Sequence, residues 1–148
     1  MDGVLVRSTH GDKRCWVRWA EQLGLSETFD LRRTHGRRAA DTIREYLPNL
    51  TEHEIATHLA QLDMFAAEEQ SNVIAYAGVV ELLASIPPHQ WTIVTSASET
   101  MMHSRLTAVG IKEPRRTVGG DTIAKGKPHP EGYLAVQRSS RVIPKIAW

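Results

Sequence analysis

Apolar residues recur along this chain in two different rhythms. Early in the sequence, Trp16, Trp19, Ala20 and Leu23 fall at i, i+3, i+4 and i+7, one face of a helix, and Gly24 stops it. The stretch "LRRTHGRR" then reads as a basic loop, and "AADTIREYL" as a short helix closed by Pro48. "TEHE" is a capping box, with Thr51 at the N-cap and Glu54 reaching back to it. Behind it Ile55, Leu59, Leu62 and Ala66 form a helical stripe that runs toward Glu69. "AGVVELLASI" predicts one more helix, ended by Pro87 and Pro88.

The rhythm changes at "WTIVTSAS", a compact β-rich run that ends in small hydroxylated residues. Ser98 is placed to cap a helix in which Met102, Leu106 and Val109 share a face and Gly110 follows the end. "RRTVGGD" predicts a second short strand, and "IAKGKPHPEGY" a loop whose Pro130 suits the first turn of a helix carrying Tyr133, Leu134 and Val136. The tail "RVIPKIAW" begins like a strand until Pro144 interrupts it, and residues 2–6 read as a short loop or strand remnant. Residues 9–74 are thus expected to be helix and loop. Residues 75–136 alternate helix, strand, helix, strand, helix, the pattern of an α/β fold with a parallel sheet. The helical block is read as an insertion between two pieces of that α/β core, 1–8 and 75–148.

Composition narrows the class. The 148 residues suit one core with a small insertion, and an apolar fraction of 41% is adequate to fill it. Lys and Arg number 18 against 17 Asp and Glu, so no global charge points to nucleic acid or to an anionic membrane. Cys15 is the lone cysteine, which excludes an intramolecular disulfide and suits a reducing, cytoplasmic setting. No basic-then-apolar leader opens the chain, and no apolar run approaches the roughly 18 residues of a membrane span.

Three places carry candidate chemistry. Thr95 and Ser96 put hydroxyls at the carboxyl end of a predicted strand, where open α/β sheets bind ligands. The helix that follows aims its positive N-terminus at the same spot, which would favour an anion; the plain alternative is N-capping by Ser96 or Ser98. Lys127 stands on a loop stiffened by Pro128 and Pro130, suited to neutralise a phosphoryl oxygen or a carboxylate, or else is a solvated loop lysine. Asp2-Gly3 taken alone is a turn. Elsewhere, Arg32, Arg33, Arg37 and Arg38 surround His35, a substrate-reading loop or a solvated basic face; RNA binding is disfavoured because no aromatic residues interleave. "HEIATH" mimics a zinc motif, but His53 and His58 are five apart, about 140° around a helix, against the spacing of four that a metalloprotease uses.

Taken together and in this order, the three places resemble the haloacid dehalogenase superfamily of phosphohydrolases. Met1-Asp2-Gly3-Val4-Leu5-Val6 is similar to the end of that family's first motif, an apolar strand ending in Asp-x-Asp-Gly. Thr95-Ser96 matches its second motif, and Lys127 within "GKPHPEGY" its third, in the form typical of the sugar-phosphatase and phosphoglucomutase-like branch. The resemblance runs from Asp2 to about Val136 and implies a Rossmann-like parallel core, incomplete here, with residues 9–74 as an inserted helical cap. It also implies an aspartyl-phosphate mechanism on a small sugar or polyol phosphate. Asp2 would be the general acid/base and give a backbone carbonyl to Mg²⁺. Thr95 or Ser96 would hydrogen-bond the phosphoryl group, and Lys127 would offset its charge. His35, Arg37 and Arg38 would face the substrate. The family nucleophile would fall one place before Met1, and the acidic fourth motif about 20 residues after Lys127, where "RSSRVIPKIAW" has no acid. The chain is therefore expected to be a family member clipped at both ends, with activity impaired, or else a non-catalytic remnant that binds a ligand or self-associates through exposed sheet edges.

Overall fold

The computed structural model describes residues 1–69 and 73–139. The expected strand at the start of "RVIPKIAW" lies outside the described residues. Among the described residues, six α-helices, four two-residue strands and a 3₁₀ turn follow in the order β1 (Val6–Arg7), α1 (Thr9–Gln22), the 3₁₀ turn (Leu31–Thr34), α2 (Ala39–Tyr46), α3 (Glu52–Glu68), β2 (Ile74–Ala75), α4 (Val79–Ser85), β3 (Ile93–Val94), α5 (Glu99–Ala108), β4 (Thr117–Val118) and α6 (Glu131–Ser139).

The helical periodicity reports real burial. Trp19 and Ala20 of α1, Ile43 of α2, and Ile55, Leu62 and Phe65 of α3 close over Cys15 as one apolar cluster. Leu23, the last residue of the expected α1 stripe, lies past the helix end and is exposed. Both halves of the capping box form: the Glu54 N–H donates to Thr51 Oγ1, and the Thr51 N–H donates to Glu54 Oε2 at 2.7 Å. Indole Nε1 of Trp19 donates to Nδ1 of His58 at 3.3 Å, so this histidine serves the core. The basic loop holds a 3₁₀ turn because Asp30 caps it, accepting the Arg32 N–H at 3.0 Å.

A second cluster gathers Val6, Ile93, Met102, Leu106 and Ile111, with Val79, Val80 and Leu83 of α4 packed on it. The expected parallel pairing is present, with Ile93 beside Thr117 and Val94 beside Val118. Helix α6 packs closely on this sheet through Gly132, where a Cβ would lie 2.8 Å from a methyl of Val94. Tyr133 and Leu134 of α6 are exposed.

The ends of the helical block differ in how they meet expectation. Residues 3–5 are a turn, the loop of the two expected alternatives, closed by the Leu5 N–H on the Met1 carbonyl at 2.8 Å. Strand β1 starts only at Val6 and pairs antiparallel with β2, placing Val6 against Ala75 and Arg7 against Ile74. Position 74 is therefore strand. No described helix is long and apolar enough to cross a membrane.

Candidate functional site

Thr95 leaves the end of β3 with its N–H donated to the Val118 carbonyl at 3.0 Å, one step beyond the last strand residue. Its hydroxyl accepts the Ala97 N–H at 3.2 Å, and the residue is only 4% exposed. Ser96 turns the other way and donates Oγ–H to the carbonyl of Gly36, on the basic loop, at 2.8 Å. Ser98 caps α5 by accepting the Met101 N–H, and Asp121 accepts the Glu99 N–H at 3.0 Å. The helix N-terminus expected to meet an anion is thus already served by a hydroxyl and a carboxylate of the chain.

The segment between β4 and α6 brings Lys127 to the same place. Thr95, Ser96 and Lys127 line one small depression together with Val94, Ile123, His129, Gly132 and Tyr133. The lysine ammonium sits 5.9 Å from the Tyr133 ring centre and has no carboxylate partner among the described residues. Its loop is held from α6, where Glu131 accepts the N–H groups of Ala124 and Lys125 at 2.7 and 3.1 Å. Those two bonds favour the anion, the Ala124 N–H most, and keep the Glu131 carboxyl below its usual range.

Asp2 stands apart from that depression. Its carboxylate accepts from Arg105 at 2.5 Å and lies 2.8 Å from Ser8 Oγ. Arg105 is buried and also binds Asp12. Burial pushes the Asp12 carboxyl up, against the pull of Arg105. Asp63, which accepts the Ser98 hydroxyl, is likewise raised by burial.

The basic stretch is neutralised within itself. Arg32 pairs with Asp30 at 3.0 Å, Arg33 and Arg37 share Glu45, and Arg38 grips Asp41 at 2.6 Å. The Arg37 hydrogen bond holds Glu45 below the usual carboxylate range, and Arg38 does the same to Asp41. His35 is exposed beside them. Of the residues singled out from sequence, Thr95, Ser96 and Lys127 therefore converge. Arg38 touches their loop, and Asp2, His35 and Arg37 do not line the depression.

A Mg²⁺ site is not assembled by the described donors. No three His, Cys, Asp or Glu side chains gather among them, and the carboxylate of Asp2 faces the Arg105 cation, which competes with a second positive charge. Arg105, Asp12 and Asp121 carried no motif, whereas Glu131 stands inside "GKPHPEGY" and in the first turn of α6, where an acid suits the helix N-terminus.

The chain is similar to known proteins along most of its length. A family model described as haloacid dehalogenase-like hydrolase matches residues 1–148. Hexitol phosphatase A of Escherichia coli is 32% identical over 139 residues, covering 90% of this chain and 63% of that protein. 2-deoxyglucose-6-phosphate phosphatase 1 of Saccharomyces cerevisiae is 26% identical over 145 residues, covering 90% and 59%. The chain thus spans about three-fifths of the length of these relatives. A hydrolase from Pseudomonas syringae shares the fold with a TM-score of 0.74 at 21% identity, over 93% of this chain and 66% of that one. CbbY from Rhodobacter sphaeroides, solved in complex with phosphate, does so with 0.71 at 17%, over 93% and 68%. With that family model matched along the whole chain, the protein belongs to the haloacid dehalogenase-like hydrolase family.

Proposed function

We propose that the chain is the phosphate-gripping portion of a phosphatase acting on a small sugar or polyol phosphate. The observation that carries the reading is the convergence of Thr95, Ser96 and Lys127 on one depression at the carboxyl ends of β3 and β4. An unpaired ammonium beside hydroxyls is what a phosphoryl group needs. The cation offsets its charge, and a hydroxyl proton fixes one of its oxygens. The relatives named as phosphatases of a hexitol phosphate and of 2-deoxyglucose-6-phosphate support the substrate class.

In this reading residues 9–74 act as a cap over a core made of 1–8 and 75–148. The support is that each part has its own apolar cluster, and that Ser96 and Gly36 meet where the two face each other. Arg37 and His35 lie on the cap side as candidates to meet the rest of the substrate. Turnover through an aspartyl-phosphate needs a carboxylate at the phosphoryl group. Among the described residues lining the depression none is a carboxylate, and Asp2, the proposed acid/base, is engaged by Arg105. That observation favours a second reading for the 148-residue polypeptide, a module that binds phosphate without hydrolysing it.

The test is calorimetric titration of the polypeptide with inorganic phosphate and with a hexitol phosphate, beside a hydrolysis assay with Mg²⁺. Saturable binding of both, weakened about tenfold or more by Lys127→Ala, is expected from the loss of one charge-assisted contact. Binding that is indifferent to Lys127→Ala would remove the proposal. Hydrolysis well above background that survives Asp2→Asn would overturn the roles given to Asp2 and to the depression.

A further inference from the structure

Arg38 ends the basic stretch and stands at the N-cap of α2. Its side chain is only 11% exposed, a rare state for arginine. Each of its three nitrogens has a partner. Nε and Nη2 fork onto the two oxygens of Asp41 at 2.8 and 2.6 Å. Nη1 crosses to the far part of the sequence and donates to the carbonyl of Ile123 at 2.5 Å. A side chain rooted in the helical block thus grips the backbone of the loop that presents Lys127.

The loop is shaped to receive this pair. A Cβ on Gly126 would lie 2.8 Å from Nε of Arg38 and 2.9 Å from Oδ2 of Asp41. A Cβ on Gly120 would run into the carbonyl oxygen of Ser96 and lie 3.1 Å from Cγ of Arg38. Glycine at both positions leaves the space that the arginine and its carboxylate fill. Glu131 holds the same loop through the N–H groups of Ala124 and Lys125. Lys127 has no ion pair among the described residues, so apart from the Tyr133 ring its location is set by the loop backbone.

We infer that Arg38 and Asp41 form a positioning clasp for Lys127, fixing the loop 119–127 so that the ammonium stands over the depression shared with Thr95 and Ser96. The inference rests on the phosphate-binding reading above. It gives Arg38 a task other than facing the substrate, since all three nitrogens are engaged. Because the clasp is rooted between the 3₁₀ turn and α2, it couples the location of the helical block to that of the lysine.

The test uses the 148-residue polypeptide with inorganic phosphate as probe, and trypsin as a reporter of loop order. Trypsin cuts after Lys125, whereas Pro128 protects the bond after Lys127. Arg38→Lys keeps the charge and loses the fork; Gly126→Ala pushes the pair away from the loop side. Each is measured alone and combined with Lys127→Ala. Each clasp variant is expected to weaken phosphate about tenfold, the scale on which a misplaced group loses its effect. In the Lys127→Ala background the same change is expected to add nothing, the mark of a residue acting through another. Cutting after Lys125 is expected to rise about tenfold in the clasp variants and to stay unchanged in Lys127→Ala. Should Arg38→Lys fail to fold, Gly126→Ala carries the comparison. Full additivity with Lys127→Ala, or unchanged phosphate affinity in the clasp variants while Lys127→Ala loses binding, overturns the clasp and leaves the phosphate reading standing. Phosphate binding that ignores Lys127→Ala in the parent chain overturns that reading and the clasp with it.

Discussion

Nη1 of Arg105 meets Oδ1 of Asp2 at 2.5 Å, joining α5 to the first turn of the chain across 103 positions of sequence. The arginine is 5% exposed, and its other end reaches Asp12. Ser8 Oγ lies 2.8 Å from Asp2 and 2.9 Å from Asp12. One hydroxyl has a single proton, so it donates to one carboxylate at a time. Arg105 is therefore the counter-charge on which both acids depend. Arg105→Ala leaves two part-buried carboxylates facing each other, and should lower the unfolding free energy by about 3–5 kcal/mol. Urea denaturation reads the change. A loss below about 1 kcal/mol would mean that the pair behaves like an exposed one.

Asp63 makes the opposite kind of contribution. Burial raises its pKa above the ordinary 3.8, the Ser98 hydroxyl pulls it back, and the charge of Asp121 raises it further. A carboxyl whose folded pKa lies above its unfolded one binds protons better when folded. Its cost is absent below 3.8 and grows as pH rises through the raised folded value. Asp63→Asn keeps an oxygen for Ser98 and abolishes the charge. It should stabilise the chain at pH 7, with a gain that shrinks toward pH 3.5. Urea midpoints at the two values check the sign, and a gain that grows on acidification would refute it.

Thr42 is 1% exposed on α2, and its hydroxyl has no hydrogen-bond partner among the described residues. An unsatisfied buried hydroxyl costs about 1–3 kcal/mol. Thr42→Val replaces it with a methyl of the same shape and should raise stability by about 1 kcal/mol. A thermal melt of the two proteins decides, and a lowered midpoint would mean that the hydroxyl is satisfied after all.

What could be read from sequence divides by how local its cause is. The helix starts at Thr51 and Ser98 come from side chains that cap amides three residues on, so spacing alone exposes them. The strands at Ile93 and Thr117 are compact β-branched runs. The ribbon of β1 and β2 is two residues on each side, joined only because Val6 meets Ala75, and no local pattern encodes that pairing. The 3₁₀ turn had a local cause, Asp30 capping Arg32, hidden inside a stretch dominated by charge. The site divides in the same way. Thr95, Ser96 and Lys127 stand in motifs, whereas Arg105 is an ordinary helix arginine until Asp2 and Asp12 fold onto it from 103 and 93 positions away.

Sequence left open which of Thr95 and Ser96 meets the phosphoryl group, and their hydrogen bonds separate them. A phosphoryl oxygen needs a donor. Ser96 already gives its proton to the carbonyl of Gly36 at 2.8 Å, while the hydroxyl of Thr95 accepts from the Ala97 N–H. Acceptance leaves the Thr95 proton for a ligand. Thr95→Val keeps the shape and removes the donor, and should weaken inorganic phosphate about tenfold, the worth of one hydrogen bond to a charged group. Ser96→Ala should stay within about threefold, because the bond it loses runs to Gly36 and not to the ligand, a net effect of order 0.5 kcal/mol or less at a part-exposed position. Calorimetric titration of both variants against the parent chain orders them. If Ser96→Ala loses more affinity than Thr95→Val, the serine is the phosphate-facing hydroxyl, and its contact with Gly36 must open before phosphate binds.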